Sequence, residues 1–426
     1  MDFKKLIEEF KNCECGHSHE TAVKDVRIGS GITADVGNIL KENGFPKKLL
    51  LVADETTLNV AEGITDALKD FDLTYLVYDE LRVAKMSDVR MVEEYIDAGA
   101  QAVIAVGTGS IHDPCRLACG NKKIPLCLFA TAPSMDGFAS YSSPIVDNNF
   151  KYSYSAKSPE VIIGDTKILA AAPSELKSSG FGDMVAKYPA LIDWQVSALV
   201  SGEEYCPKVA ALTRSAIDRL MTVADKVTVN DEETAGYIFE GLLMTGLGMS
   251  FVKSSRPASG TEHIMAHYIE CKELLENKIP NYHGEDVGVM TLIILRLYNS
   301  LLQFNSVKAC KENLDWEKIK EVYGPLSGDM EKLNFPTTIT DGIKPEAIEK
   351  NWNEIKKIIS SVPDYEQVKE KMKQAGCKLT YKDIGKSKEL MRECLIYHPY
   401  MRRRLSLKRL LNMTDLKDYA DNFPLE

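Results

Sequence analysis

The 426-residue chain has few cysteines and no long hydrophobic run. Ten cysteines are too few for a disulfide scaffold of this length, and no apolar signal segment follows Met1. We therefore expect reduced thiols and a cytoplasmic location. The longest apolar runs, 48–53 and 101–106, are strand-sized and far from the ~20 residues of a membrane span, so we expect no such span.

An excess of basic charge is also lacking. Lys and Arg number 52 against 62 Asp and Glu, which gives a formal net charge of −10. A general nucleic-acid binder needs a basic face, so we expect no nucleic-acid partner. The short basic run 402–409 is interpreted as a solvated helix face or a contact with another subunit. With 44% hydrophobic and 27% charged residues, the chain is neither collagen-like nor disordered.

The first ~170 residues alternate between strand-like and helix-like patterns. Apolar strands separated by helices are typical of a parallel sheet covered on both faces. Asp147-Asn148-Asn149 predicts a hairpin turn between 144–146 and 151–155. The other predicted strands are 23–28, 48–53, 73–78, 102–106, 125–129 and 161–164, and the predicted helices are 33–43, 61–69, 86–98 and one that begins near Ser110.

After Pro173 the strand patterns fade and helical periodicity dominates. We expect two domains with a cleft between them. Residues 1–172 would form an α/β, Rossmann-like nucleotide-binding domain, and 173–426 an all-α metal- and substrate-binding domain. The predicted helices here include 184–199, 209–226, 234–252, 286–304 and 352–360.

Two glycine loops are candidates for a dinucleotide phosphate. The segment 29–34 fits G-x-G-x-x-A, but its strand 24–28 is charged, so a tight turn is the alternative. The loop 107–113 follows an apolar strand and opens a helix, which favours it as the phosphate site. Asp54 ends another buried strand, where an acid can bind a ribose hydroxyl and repel a 2′-phosphate. This favours NAD(H) over NADP(H), unless Asp54 is only a helix cap.

Three of the seven histidines lie within about twenty residues of one another. His263 and His267 are spaced i,i+4, so they share one helix face. Together with His283, and with Asp183 just before a predicted helix, they form a candidate site for Zn²⁺, Ni²⁺ or Fe²⁺.

A second group of metal-type donors lies near the N-terminus. It is Cys13-Glu14-Cys15-Gly16-His17-Ser18-His19. Its donors are close together in sequence and no second pair follows, so the alternative is an ordered N-terminal turn.

Four segments together resemble a known family: TAPSMDG (131–137), GFGD (180–183), SRPASGTEH (255–263) and HGE (283–285). They are similar to the sn-glycerol-1-phosphate dehydrogenases, within the iron-containing alcohol dehydrogenase and dehydroquinate synthase-like group. The resemblance runs from about residue 13 to 404. It implies a dehydroquinate synthase-like fold, one divalent metal, NAD(H) or NADP(H), and a homodimer.

The resemblance also implies roles for single residues. Asp183, His263 and His283 match metal ligands. His267 matches a catalytic histidine beside the substrate, and Asp136 a catalytic, substrate-contacting carboxylate; Asp183 also borders the substrate. Matches to cofactor contacts are Asp54, Gly109, Ser110, Ile111, His112, Asp113, Thr131, Ser134 and Ser140. Two departures are Thr108, where many relatives have glycine or serine, and Ile264, where many have a second histidine.

The expected reaction is the reversible reduction of dihydroxyacetone phosphate to sn-glycerol 1-phosphate by NAD(P)H, with His267 as the proton relay. Arg256 and Lys187 are candidates for binding the phosphate, and structural ion pairs are the alternative for each. Three other functions stay open: a polyol dehydrogenase without phosphate recognition, a dehydroquinate synthase-like cyclase that uses NAD transiently, and a non-catalytic nucleotide- and metal-binding regulator.

Overall fold

The computed structural model describes residues 1–426. All eight strands precede residue 166, as the sequence pattern predicts. The strands are β1 (Asp25–Gly29), β2 (Lys48–Asp54), β3 (Asp72–Tyr78), β4 (Ala102–Gly107), β5 (Leu126–Ala130), β6 (Ser142–Asp147), β7 (Phe150–Ser155) and β8 (Val161–Asp165).

Seven helices accompany these strands and thirteen follow. The first seven are α1 (Phe3–Lys11), α2 (Val36–Glu42), α3 (Glu55–Val60), α4 (Ile64–Ala67), α5 (Met86–Asp97), α6 (Gly109–Lys122) and α7 (Thr166–Ala171). The others are α8 (Ser174–Val185), α9 (Lys187–Ser201), α10 (Pro207–Met221), α11 (Glu232–Val252), α12 (Thr261–Leu275), α13 (His283–Ser300), α14 (Trp316–Tyr323), α15 (Ser327–Asn334), α16 (Pro345–Ile359), α17 (Tyr365–Gln374), α18 (Lys388–Tyr397), α19 (Leu407–Leu411) and α20 (Lys417–Asp421).

Six strands form a parallel sheet in the order β1-β8-β5-β4-β2-β3. Its central strands are buried on both faces. Leu49 and Leu51 of β2 pack into one core, while Leu50 and Val52 pack into the core on the opposite face. Strand β1 lies at the edge of the sheet, which explains how it accommodates charged residues. The predicted fold class is confirmed.

The predicted hairpin is also present, as the antiparallel pair β6 and β7. Asn148 and Asn149 connect the two strands with φ values of +50° and +63°. Asparagine tolerates this left-handed region better than most residues, which is why the segment reads as a turn.

The prediction of a helix over 61–69 is wrong. Helix α3 begins at Glu55, because Asp54 and Thr57 form a reciprocal capping box. The chain then turns at Gly63, where φ is +85°, and only one helical turn, α4, follows. Asp183 also lies inside the last turn of α8 rather than before a helix.

The largest hydrophobic core, of 82 buried residues, lies mainly among the C-terminal helices and joins them to part of the sheet. It includes Ala130 and Ile162 of the sheet, and also Phe3 and Phe10 of α1. The division into 1–172 and 173–426 stays a prediction. One helix, α11, is long and apolar enough to span a membrane, but 78% of its most apolar window is buried inside the protein, where it forms part of this core.

Candidate active site

A cleft of about 740 Å³ lies between the carboxyl end of the sheet and the C-terminal helices. Strand β3 follows β2 in the chain and pairs with one of its edges. The next strand, β4, pairs with the other edge of β2, and β5 continues in that direction. The strand order therefore reverses between β2 and β4. In open α/β sheets, ligands bind at the carboxyl edge beside such a reversal.

Asp54 and the loop 107–109 meet at this reversal point. Asp54 caps α3 through Oδ1, which accepts the Thr57 N–H at 2.8 Å, and it also lines the cleft. The helix cap is therefore observed, and the contact with a ribose hydroxyl stays a prediction, for which the protein's own hydrogen bonds leave Oδ2 free.

The start of α6 offers backbone donors to the cleft. Gly109 and Ser110 line it, and their N–H groups have no acceptor within the protein. A helix N-terminus carries about half a positive charge, so this position suits a pyrophosphate. Ile111 and His112, in contrast, do not line the cleft. Successive helical residues point about 100° apart, so these two turn inward, and His112 packs on Phe138 with ring centroids 5.5 Å apart.

Asp113 lines the cleft and is held by a residue that sequence analysis missed. Arg116 is fully buried and donates to Asp113 Oδ1 at 2.5 Å and to the Ser140 carbonyl oxygen at 2.9 Å. This arginine ties α6 to the segment after β5. Thr131 and Ser134, on the same segment, also line the cleft.

The other glycine loop, 29–34, does not line the cleft. Its Gly31 and Thr33 N–H groups both donate to the carboxylate of Asp165, at 2.9 and 3.1 Å. Because an internal carboxylate already occupies these donors, the loop is the tight turn that its charged strand favours.

At the opposite end of the cleft, the structure brings the three predicted metal ligands together. Ligand atoms of Asp183, His263 and His283 lie within 4.8 Å of one another. His263 Nε2 is 3.3 Å from Asp183 Oδ1. One carboxylate and two imidazoles at this spacing suit Zn²⁺, Ni²⁺ or Fe²⁺.

Glycine allows these ligands to converge. Helices α8 and α13 cross so closely that a Cβ on Gly182 would overlap the carbonyl oxygen of Gly284. A Cβ on Gly284 would overlap that of Ser179. The crossing places Asp183 of α8 beside His283 at the start of α13.

Two buried glutamates orient the ligand rings. Glu262 accepts from His263 Nδ1 at 2.8 Å, and Glu270 accepts from His283 Nδ1 at 3.2 Å. Each bond leaves Nε2 for a metal. Sequence analysis missed both glutamates, although Glu262 adjoins His263 in the quoted motif.

Lys187 is fully buried between two carboxylates. Its Nζ lies 2.6 Å from Asp183 Oδ1 and 2.6 Å from Asp136 Oδ2. The Asp136 N–H donates to Asp183 Oδ2 at 2.9 Å. Burial alone would raise the pKa of Asp183, but Lys187 and His263 hold it well below its usual range. Lys187 is therefore the structural ion pair named as its alternative, and it keeps Asp183 anionic.

His267 lies one turn after His263, and its ring stacks on that of His283 with centroids 5.5 Å apart. Burial, with Lys151 and Arg402 nearby, lowers the pKa of His267 well below its usual value, so the ring is neutral. An Arg402 guanidinium nitrogen lies 3.1 Å from Nδ1. Arginine can only donate, so Nδ1 accepts and the ring proton lies on Nε2.

Most of the basic run 402–409 is buried or partly buried and bonded inside the protein rather than solvated, and Arg403 is its one exposed residue. Lys408 pairs with Asp421, Arg409 pairs with Glu312, and Arg404 bonds to Ser255 and Ser259, two residues that line the cleft. Burial of the run was not visible in the sequence, because its partners are distant in the chain: Arg402, for example, bonds to Lys151, 251 residues away.

The side chain of Arg256 is also bonded to other residues of the protein. It is buried, pairs with Glu203, and donates to the Leu405 carbonyl oxygen at 2.7 Å and to Ser197 Oγ at 3.1 Å. It does not line the cleft. Its role in binding a substrate phosphate is therefore wrong, and its alternative, a structural ion pair, is observed.

Comparison with known proteins places this architecture in a family. The model of the iron-containing alcohol dehydrogenase family matches residues 27–173. The glycerol-1-phosphate dehydrogenase (NAD(P)+) of Bacillus licheniformis is 29% identical over 95% of this chain and 92% of its own. The protein of the same name from Thermococcus kodakarensis is 31% identical over 76% of this chain and 86% of its own. A probable glycerol dehydrogenase from Sinorhizobium meliloti shares the fold, with a TM-score of 0.64 over 94% of this chain and 97% of its own at 15% identity. The chain belongs to the glycerol-1-phosphate dehydrogenase family.

Proposed function

We propose that the protein catalyses the reversible reduction of dihydroxyacetone phosphate to sn-glycerol 1-phosphate with NADH or NADPH. The observation that carries this proposal is a single cleft with a dinucleotide-type site at one end and an Asp/His/His cluster at the other. Family membership supports the same reaction.

Asp183, His263 and His283 would hold the divalent ion. The donor set fits, because both rings have Nδ1 engaged by a carboxylate and Nε2 left for a ligand. When bound, the ion supplies Lewis-acid stabilisation of negative charge that develops on the substrate's C2 oxygen. Around this ion, the ammonium of Lys187 offsets part of the negative charge of Asp136 and Asp183.

NAD(P)H supplies the hydride. The N–H groups of Gly109 and Ser110 would bind its pyrophosphate, and Asp54 Oδ2 would accept from an adenosine ribose hydroxyl. The remaining proposed contacts that line the cleft are Asp113, Thr131, Ser134 and Ser140.

His267 would donate a hydrogen bond from Nε2–H to the C2 oxygen and stabilise its developing negative charge, while the proton that finally binds this oxygen comes from solvent. Arg402 holds Nδ1 and keeps the ring in this tautomer. Asp136 would accept from a substrate hydroxyl, since it borders the cleft beside the buried Lys187.

A different cation must hold the substrate phosphate, because Arg256 is unavailable. Lys151 lines the cleft at the metal end, and its Nζ donates to Glu270 Oε2 at 2.7 Å. Two donors of this ammonium stay free for a phosphate oxygen. Arg402 donates to the Lys151 carbonyl oxygen at 2.6 Å and adds positive charge to the same pocket.

Lys151→Ala should therefore raise the KM for dihydroxyacetone phosphate but not for unphosphorylated dihydroxyacetone. The matched control is Lys167→Ala, which removes a lysine from the coenzyme end of the same cleft. Equal changes in KM for both ketones in Lys151→Ala would reject this assignment.

The decisive experiment is NAD(P)H oxidation with dihydroxyacetone phosphate, after metal removal and reloading with Zn²⁺, Ni²⁺ or Fe²⁺ separately. The proposal expects turnover that depends on metal. Faster turnover with unphosphorylated ketones would favour a polyol dehydrogenase. Product formation without net NAD(P)H change would favour a cyclase of the dehydroquinate synthase kind. Binding of both cofactors without turnover on any substrate would favour a regulator.

We also propose a homodimer. The edge strand β3 carries exposed Tyr75 and Val77, an apolar strip on an unpaired sheet edge. Sedimentation equilibrium of wild type and of Tyr75→Asp would test this; a monomeric wild type would reject it. All ten cysteines are free thiols, which suits the reducing cytoplasm that we propose as its location.

A further inference from the structure

The N-terminal cysteine and histidine residues are completed by a residue from a distant part of the chain. Cys206 Sγ lies 3.7 Å from Cys13 Sγ and 3.4 Å from His19 Nε2. Cys15 Sγ lies 3.1 Å from the same His19 nitrogen. The sequence showed no second pair of donors after this tract, because the missing donor is nearly 190 residues away. His17, counted among the donors in the sequence, is exposed and outside the cluster.

We propose that Cys13, Cys15, His19 and Cys206 form a second metal site, a closed structural site for Zn²⁺. The four donor atoms lie within 4.8 Å of one another. Two sulfurs bound to one tetrahedral zinc at about 2.3 Å lie about 3.8 Å apart, close to the spacing of Cys13 and Cys206. Three cysteines and one histidine are a usual structural zinc set.

The histidine is oriented as a metal ligand. His19 Nδ1 lies 3.0 Å from the Phe251 carbonyl oxygen and donates to it. That bond fixes the neutral tautomer in which Nε2, facing the three sulfurs, holds a lone pair. Metal-binding histidines are commonly oriented by a bond of this kind on the other ring nitrogen.

The surroundings shield this site partly from water, since Cys13 and Cys15 are half-buried. His19 and Cys206 are buried, and Phe10 and Phe251 stack beside His19 with ring centroids 4.6 Å apart. Cys206 is the N-cap of α10, where the helix dipole stabilises a negative sulfur. Binding would release the three thiol protons to solvent and leave three thiolates and neutral His19 on the ion.

This site differs from the active site in both chemistry and purpose. Three thiolates select Zn²⁺ over harder ions, and four protein ligands leave no open position for a substrate. The ion would fasten the segment after α1 to α10 and to the end of α11. The inference does not depend on the proposed reaction, because no residue of the cleft takes part.

Cobalt distinguishes the two sites, because only this one contains sulfur ligands. The full-length protein, purified under reducing conditions, would be stripped of metal and titrated with Co²⁺. We expect intense near-ultraviolet thiolate-to-cobalt absorption in wild type and in the control Cys310→Ser, whose cysteine is exposed. Cys206→Ser and the less buried Cys15→Ser should each lose that absorption and one equivalent of Zn²⁺ by elemental analysis. They should keep the metal bound at the cleft.

Two results would overturn the proposal. One is a wild-type protein without the sulfur-to-cobalt absorption at saturating Co²⁺. The other is a Cys13–Cys206 disulfide in the protein purified under reducing conditions, detected by peptide mass before further reduction. The wild-type protein alone can give the contradicting result, so the test does not require that Cys206→Ser folds.

Discussion

At the scale of single residues, the state of His267 decides what it can do. Its neutral ring has Nδ1 occupied by Arg402, so Nε2–H is the only group it can offer to a substrate. We predict that His267→Ala lowers kcat by roughly 10²–10³-fold, the usual cost of removing one hydrogen-bond donor that stabilises developing negative charge. Metal content should stay at the wild-type value, because Asp183, His263 and His283 remain.

Elemental analysis and steady-state kinetics on the same preparations would check this, with the exposed His17→Ala as control. His267, Glu270 and His283 also form a group with donor atoms within 4.8 Å. Loss of metal from His267→Ala would therefore show that the ion uses that group and that His267 is a ligand.

Asp54 is a helix cap in the structure and a proposed coenzyme contact, and one substitution can separate these two roles. Asp54→Asn keeps a side-chain acceptor for the Thr57 N–H but removes the negative charge that faces the cleft. We predict that kcat/KM for NADPH relative to NADH rises by roughly tenfold, since an acid at this position repels a 2′-phosphate. The neighbouring Glu55→Gln serves as control. An unchanged coenzyme ratio with a normal melting temperature would leave Asp54 as a cap only.

At the scale of elements, the metal centre depends on the crossing of α8 and α13. Gly182→Ala places a methyl group against the carbonyl oxygen of Gly284, and backbone cannot yield as a flexible side chain does. We predict a loss of about 1–3 kcal/mol in unfolding free energy and weaker metal binding. Gly328→Ala, in helix α15 with no atom near the added methyl, should be neutral or slightly stabilising. Equal stabilities of the two variants in urea unfolding would contradict this.

Asp286, in the first turn of α13, makes stability depend on pH. Burial raises its pKa to about 7, although Lys386 lies 3.8 Å away and Asn281 donates to it at 3.0 Å. The unfolded chain releases this proton near its ordinary pKa of about 3.9. Between about pH 4 and 7 the folded state thus binds more protons, so this residue's contribution to stability is lost as pH rises.

Asp286→Asn removes this contribution. Its gain in unfolding free energy over wild type should therefore be larger at pH 8 than at pH 5, as measured by chemical unfolding at both values. Asp66→Asn, an exposed position, should show no such difference. A gain that is the same at both pH values would show that Asp286 is already ionised at pH 5.

Elements differed in how far the sequence could predict them. Strand β4 was predicted to within one residue, because an apolar run of this length is too short for a buried helix and fits a strand buried on both faces. Helix α3 was missed, because its first turn has no buried residue and its start depends on the Asp54 cap. The spacing of apolar residues indicates which face of a helix is buried, so a helix without buried residues cannot be recognised from that spacing.

For the whole molecule, the sequence indicated residues of the site that lie in compact motifs and missed those that arrive from elsewhere. Asp183, His263 and His283 were found because each adjoins a distinctive segment. Arg402 and Cys206 were not, since only the folded chain brings them to His267 and to Cys13. Arg256 was misassigned for the same reason, because its partner Glu203 lies 53 residues away.

The shared core leads to a prediction about how the whole chain unfolds. Ala130 and Ile162 of the sheet belong to the same cluster as the C-terminal helices, while most other buried side chains of the sheet form two separate cores. The segment after β5 adds polar links: Ser179 Oγ donates to the Ser134 carbonyl oxygen at 3.2 Å, and the Asp136 N–H donates to Asp183. Separating the two parts would expose the apolar surface that they share and break these hydrogen bonds, so the parts should not unfold independently. We predict one calorimetric transition with equal calorimetric and van't Hoff enthalpies. NADH, although its proposed contacts lie mainly at the sheet end, should raise the midpoint of that whole transition, with about 2.7 kcal/mol of stabilisation at one hundred times its Kd. Two resolved transitions, of which NADH moves only one, would instead establish 1–172 and 173–426 as independently folding domains.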